Sequence, residues 1–199
     1  MLWRVLALAA VLILPDRGRA CEAALVLAMD VSGSVDAGEY RLQVDGLAAA
    51  LRDPEVREVL LRGQVALTVI QWSSTSQQHV SLPWRRMLSE AEVARFAERV
   101  ETMPRAFVAS DTAVGAALLF SLTQFEAVPD CKRRIVDGSG DGPENAGFML
   151  PQARAAAVGM GVEVNGLAIE SIGLAITTYF RGHLVTPGGF VETAAGHME

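Results

Sequence analysis

Hydrophobic positions along this chain alternate between two textures. The nearly unbroken apolar run Ala23 to Met29 reads as a strand buried on both faces, and Val65 to Trp72 and Val162 to Ile169, with Gly166 inside it, read as further strands. Between them, apolar residues recur every three or four positions, the spacing of amphipathic helices. Tyr40, Val44, Leu47, Ala48 and Leu51 form one such face, preceded by Asp36 and Glu39 at capping-box spacing and ended or interrupted at Asp53-Pro54. Ser89 and Glu92 open another around Val93, Phe96 and Val100, and Pro104 begins the loop after it. Val114, Leu118, Leu122 and Phe125 mark a helix over Thr112 to Phe125, with Asp111 placed to cap it, and Pro151 to Val158 predicts a further one.

The remaining segments complete the pattern. A polar turn at Ser73 to Ser76 joins Val65 to Trp72 to a short strand, His79 to Leu82, which stops at Pro83, so the two predict an edge hairpin. Arg134 to Gly138 predicts a strand that feeds the loop GSGDGPENAG. Near the C-terminus, Ile172 to Phe180 reads as a helix despite its β-branched run, and Phe190-Val191 begins a last strand. Strand and helix therefore alternate. The expected fold class is α/β: an open, mostly parallel, doubly wound sheet with helices on both faces and one short antiparallel edge strand.

The first twenty residues do not fit this alternation. Arg4 precedes an apolar run from Val5 to Leu14, and Gly18-Arg19-Ala20 supplies small residues at a cleavage position, the arrangement of a secretory signal. The run is too short for a normal membrane span. Residues 1–20 are thus expected to be a signal peptide and residues 21–199 the folded domain, which is periplasmic or secreted and has no stable membrane span after cleavage. The whole chain of 199 residues carries 17 Lys and Arg against 23 Asp and Glu, a net charge of −6. Removing Arg4, Asp16, Arg17 and Arg19 with the leader leaves 14 basic and 22 acidic residues, or −8. This balance argues against a nucleic-acid partner, and two cysteines cannot build a cysteine-only zinc site.

Candidate chemistry concentrates in three loops. Asp30-Val31-Ser32-Gly33-Ser34 follows the first strand, with Asp30, Ser32 and Ser34 at alternate positions, so that one carboxylate and two hydroxyls can converge. Such oxygens suit a hard cation, and polar loop capping is the plainer explanation of the same residues. Ser110-Asp111-Thr112 precedes a helix and Asp141 follows a strand. In open α/β sheets, loops at the carboxyl ends of strands meet in one crevice, so these three clusters fit a single site.

Asp30, Ser32 and Ser34, then Thr112 in TAVGAAL, then Asp141-Gly142 resemble the metal-ion-dependent adhesion site (MIDAS) of the von Willebrand factor type A (vWA) domain family. The segments CEAALVLAMDVSGSVDAGEYRLQ, CKRRIVDGSGDGPENAG and GGF resemble a bacterial exported subgroup of that family described as a domain of unknown function. The resemblance implies a magnesium site, or one for manganese or calcium, with Asp30, Ser32, Ser34, Thr112 and Asp141 as metal residues and one coordination position left for a partner. That partner would be a protein presenting an Asp or Glu carboxylate, and the domain would be a recognition module rather than an enzyme. Val114 stands where the family has a second threonine, and Asp137 competes with Asp141 for the last position, although Asp141-Gly142 carries the match. The chain stops soon after Phe190-Val191, where the family has a final helix, so a shortened C-terminal face is expected.

In the resembled fold, the strands that follow Cys21 and Cys131 are parallel neighbours. The resemblance thus implies a structural disulfide at the edge opposite the metal loops, which export would permit. Two other readings compete with recognition. One is a structural domain whose metal site is degenerate. The other is metal-assisted hydrolysis, which His79, His183 and His197 do nothing to support, because none falls in the three loops.

Overall fold

A computed structural model describes residues 21–108, 110–170 and 173–195. The expected leader, residues 1–20, and the last four residues lie outside that range. The first apolar run forms β1 (Ala23–Asp30), an interior strand whose residues are mostly buried on both sides. After it come α1 (Ala37–Arg52), α2 (Pro54–Arg62), β2 (Ala66–Trp72), β3 (Gln78–Arg86), α3 (Glu90–Glu101), α4 (Val114–Thr123) and β4 (Arg133–Gly140). The chain continues through α5 (Leu150–Gly159), β5 (Glu163–Glu170), α6 (Ala175–His183) and β6 (Val191–Ala195). The sheet order is β3-β2-β1-β4-β5-β6, and the sheet is the expected mostly parallel one with a single antiparallel edge strand, β3. Helices α4, α5 and α6 pack on one face around Val26, Val136 and Val164, while α1 and α3 pack on the other around Met29, Leu67 and Val69. Among the described residues no helix is long and apolar enough to cross a membrane.

Several boundaries depart from expectation for identifiable reasons. Asp53-Pro54 is a junction between two helices. Asp53 closes α1, and its carboxylate accepts from Glu55 N and Val56 N to start α2, with Pro54 at a position that needs no amide donor. Strand β3 runs past Pro83 because it is an edge strand. Its register slips between the pairs Leu67 with Arg85 and Val69 with Leu82, so the proline occupies an irregularity and removes no regular ladder bond. Helix α6 begins at Ala175, three residues later than the apolar pattern suggests.

The helices on the two faces start differently. Helix α1 has the reciprocal capping box, with Asp36 and Glu39 each accepting the other's backbone N–H at 2.8 Å, and Ser89 caps α3. Helices α4, α5 and α6 have no capping side chain of their own. Glu144 spans two of them, accepting from Gly115 N at 2.8 Å and Leu150 N at 3.2 Å. Glu170, at the end of β5, accepts from Thr177 N in the first turn of α6 at 2.6 Å. A carboxylate among unpaired amides at a helix start satisfies donors and favours the local dipole together.

At the opposite edge, Cys21 and Cys131 form a disulfide, with Cα atoms 4.4 Å apart. Lys132 N donates to Cys21 O and Arg133 N to Glu22 O, so β1 and β4 are already in register beside the bridge.

Candidate metal centre

The site is built where β1 stops. Asp30 is the last residue of β1, and its side chain is wholly buried. Its Oδ1 accepts from Ser32 N at 2.7 Å, an Asx-type turn that folds the chain back so that Ser32 and Ser34 follow on one side. Val35 N then donates to Ser32 O and Gly33 N to Ser110 O, which ties this loop to the segment before Thr112. Arg105 reinforces the turn from outside, its guanidinium donating to Val31 O at 3.0 Å and Ser32 O at 2.8 Å.

Hydroxyls connect the three loops. Thr112 Oγ1 donates to Ser32 Oγ at 3.1 Å, the Ser32 and Ser34 hydroxyls lie 3.3 Å apart, and Ser34 Oγ donates to Asp141 Oδ1 at 2.7 Å. Thr112 is buried and held on its other side by Asn145, whose Oδ1 accepts from Thr112 N while its own N–H donates to Thr112 O. All five expected residues, Asp30, Ser32, Ser34, Thr112 and Asp141, therefore meet at the carboxyl edge of the sheet. Asp137 does not. It lies inside β4 and accepts from Asn165 Nδ2 at 2.8 Å, because β4 runs on to Gly140 and only Asp141 emerges into the loop.

Asp111 also departs from its expected role. The residue before α4 is Ala113, Asp111 is exposed, and its carbonyl accepts from Ser73 Oγ at 2.9 Å. Capping of α4 falls to Glu144, 29 residues beyond the Gly115 amide from which it accepts. Val114, at the family's second threonine position, is buried in the core below the site. Arg105, Asn145 and Glu144 had no sequence signal, since each acts on at least one backbone group far from it in the chain.

Asp30 shows the electrostatic cost of this arrangement. Burial raises its carboxyl to about 7 and the nearby Asp141 charge pushes the same way, while hydrogen bonds from Ser32 and the Arg105 charge oppose. Its Oδ2 is buried and has no hydrogen-bond partner. The backbone passes close by at Gly140, where an added Cβ would lie 3.1 Å from Oδ2. An unpartnered carboxylate oxygen, a second carboxylate and three hydroxyls are donors that a hard divalent cation accepts, so the residues present fit one. Among the described residues no group of three or more His, Cys, Asp or Glu side chains converges to hold a metal, and this site draws three of its five donors from Ser and Thr.

Comparison with known proteins now places the chain. A family model described as a protein of unknown function, DUF1194, matches residues 20–199. The chain belongs to this DUF1194 family. Its fold is that of the vWA domain, shared with several solved structures. Proximal thread matrix protein 1 from the mussel byssus is 17% identical with a TM-score of 0.66, over 87% of this chain and 43% of the mussel protein. A second structure of the mussel protein, described as having a zinc-occupied MIDAS motif, is 14% identical with a TM-score of 0.62, over 87% and 42% of the two chains. A von Willebrand factor type A protein from Catenulispora acidiphila is 17% identical with a TM-score of 0.63, over 88% and 39%. This DUF1194 chain thus spans less than half the length of these relatives. Among curated proteins, none matches it.

Proposed function

We propose that this domain recognises a partner protein through a divalent cation, magnesium or alternatively manganese or calcium, held by Asp30, Ser32, Ser34, Thr112 and Asp141. The observation that carries the reading is the buried Asp30 Oδ2, left without a partner where three oxygen-bearing loops converge. A bound cation would supply positive charge to offset the Asp30 and Asp141 carboxylates and to attract an Asp or Glu carboxylate of the partner. The chain's own residues do the positioning. Arg105 and the Ser32 amide fix the first loop, Asn145 fixes Thr112, and Ser34 holds Asp141 against them. Ser34 and Asp141 lie on the accessible side, Asp30 and Thr112 beneath, which suits approach from solvent. The disulfide supports an oxidising location outside the cytoplasm, in keeping with the leader-like first twenty residues.

The test is isothermal calorimetry of magnesium, manganese and calcium binding to protein purified after export, alongside Thr112→Val and Asp141→Asn. Thr112→Val keeps the shape of the side chain and removes one oxygen. Both variants are expected to keep the wild-type circular dichroism spectrum and to lose at least about tenfold in affinity, roughly 1.4 kcal/mol. Absence of binding by all three cations to the folded wild type would overturn the reading.

A further inference from the structure

Among the described residues, one half of one sheet face carries no helix. Helices α1 and α3 cover the β1, β2 and β3 side of that face, whereas no described helix lies over β4, β5 and β6 there. The result is a groove of about 410 Å³, with Leu42 and Leu47 of α1 as its wall and Leu167 and Ile169 of β5 in its floor. Leu42 is 57% exposed, Leu167 40% and the adjoining Phe190 53%, so the apolar residues that the described elements leave uncovered form a connected surface instead of scattered single positions.

The shape and chemistry of the groove restrict what can fill it. Its floor is made of strands already hydrogen-bonded to neighbours on both sides at β4 and β5, so it offers side chains but no backbone donors or acceptors. An extended peptide laid there would lose its own backbone hydrogen bonds to water without replacement, whereas a helix satisfies them internally. From β4 to β6 is two strand spacings, about 10 Å, which is the diameter of one helix. The wall residues run from Glu39 to Ala50, a rise of about 17 Å or three helical turns. Every ionisable side chain lining the groove is acidic, namely Glu39, Asp137 and Glu192. A basic margin on the occupant would match them.

We propose that this groove docks one amphipathic helix of a partner protein, with an apolar stripe about three turns long bordered by Lys or Arg. This surface lies between the helices and the sheet, and does not depend on cation binding at the carboxyl edge.

The test uses the exported protein and three labelled synthetic helices of equal length, read by fluorescence anisotropy at about 0.15 M salt. The first has a Leu stripe with Lys margins, the second the same stripe with Glu margins, and the third is a scramble of the first. The Lys-margined helix is expected to bind at least about tenfold more tightly than either other peptide. Leu42→Gln and Leu167→Gln are both at exposed positions, so they should weaken it by a similar factor while leaving the thermal unfolding midpoint unchanged. Glu192→Lys should narrow the gap between Lys and Glu margins. Equal binding of the three peptides, no binding at all, or binding indifferent to Leu42→Gln and Leu167→Gln would overturn the proposal. So would a dimer in sedimentation that Leu42→Gln dissociates, which would assign the groove to a second copy. Detergent monomers that bind there while every peptide fails would assign it to a lipid-like chain and equally refute it.

Discussion

Two glycines in helices should respond to the same substitution with opposite sign. At Gly46, on the exposed side of α1, an added Cβ meets nothing within 4 Å. Gly46→Ala therefore brings better helix propensity and a less flexible unfolded chain, for a gain of up to about 1 kcal/mol. At Gly115, in the first turn of α4, the same Cβ would lie 2.3 Å from Leu150 N, 2.4 Å from Met149 C and 2.8 Å from Leu150 Cα. All three are backbone atoms, so no rotamer change relieves them, and α4 and the start of α5 must separate by about 1 Å to restore normal contact. Overpacking of this kind costs about 1–3 kcal/mol, and the upper end is expected where backbone opposes backbone. The movement also strains the Glu144 carboxylate, which ties Gly115 N to Leu150 N. After the helix-propensity gain is subtracted, Gly115→Ala should lose about 2 kcal/mol. With a urea slope of about 2 kcal/mol per molar, that moves the unfolding midpoint down by roughly 1 M, while Gly46→Ala moves it up. Urea titration followed by far-UV circular dichroism reads both. If Gly115→Ala equals or exceeds the wild type, the close approach of α4 and α5, and with it the account of how Glu144 serves both helices, is wrong.

Three further expectations concern the bridge and two carboxylates. Replacing Cys21 and Cys131 by Ala frees a closure of 110 residues and should cost about 2–4 kcal/mol, and equal melting of the variant and the oxidised wild type would contradict this. Burial raises the Asp137 carboxyl above the ordinary aspartate value, so its contribution to stability is present at low pH and is lost as the pH rises through the raised value. Asp137→Asn should be more stable than the wild type at neutral pH and lose that advantage below about pH 4, and a constant offset across the pH range would count against it. Glu170 goes the other way. Burial works to raise its carboxyl, but donors from Thr177, Ile176 and Ala175 outweigh burial and hold it below the usual glutamate range. Its contribution is therefore present above the ordinary value and lost as the pH falls through the lowered one. Glu170→Gln should destabilise the protein at neutral pH, with the difference closing in acid; denaturant titrations from acid to neutral pH separate the two slopes.

The parts of the structure that were legible in the sequence are those set by residues close together in the chain. The capping box of Asp36 and Glu39 acts across three residues, and the strand at Ala23 follows from a continuous apolar run. That the five candidate residues gather at one edge was legible because Asp30 ends a strand and the others sit in loops directly after a strand or before a helix, where α/β topology brings them together. Choosing Asp141 over Asp137 from residue spacing depended on where β4 ends, and the strand runs two residues further than its apolar pattern, through Ser139 and Gly140. Asp111 misled because an acidic residue before a helix usually caps it. Here Ser73 binds its carbonyl, and a glutamate far along the chain takes the capping role. Pro83 misled because proline stops strands in general, but not an edge strand at a register slip. The groove beside α1 was not legible at all, since the apolar residues of β5 look the same in sequence whether a helix covers them or not.

The polarity of the sheet has a practical consequence for handling the protein. Cys21 lies two residues before β1 and the loops bearing Ser34 and Asp141 at the strand's far end, with the eight residues of β1, about 26 Å, between them. Strand β6 is parallel to β5, so its last residue, Ala195, emerges on the same edge as those loops. A sensor chip, fluorophore or fusion partner joined ahead of Cys21 holds the domain with its oxygen-bearing loops facing outward. The same attachment made after Ala195 places the added mass beside them.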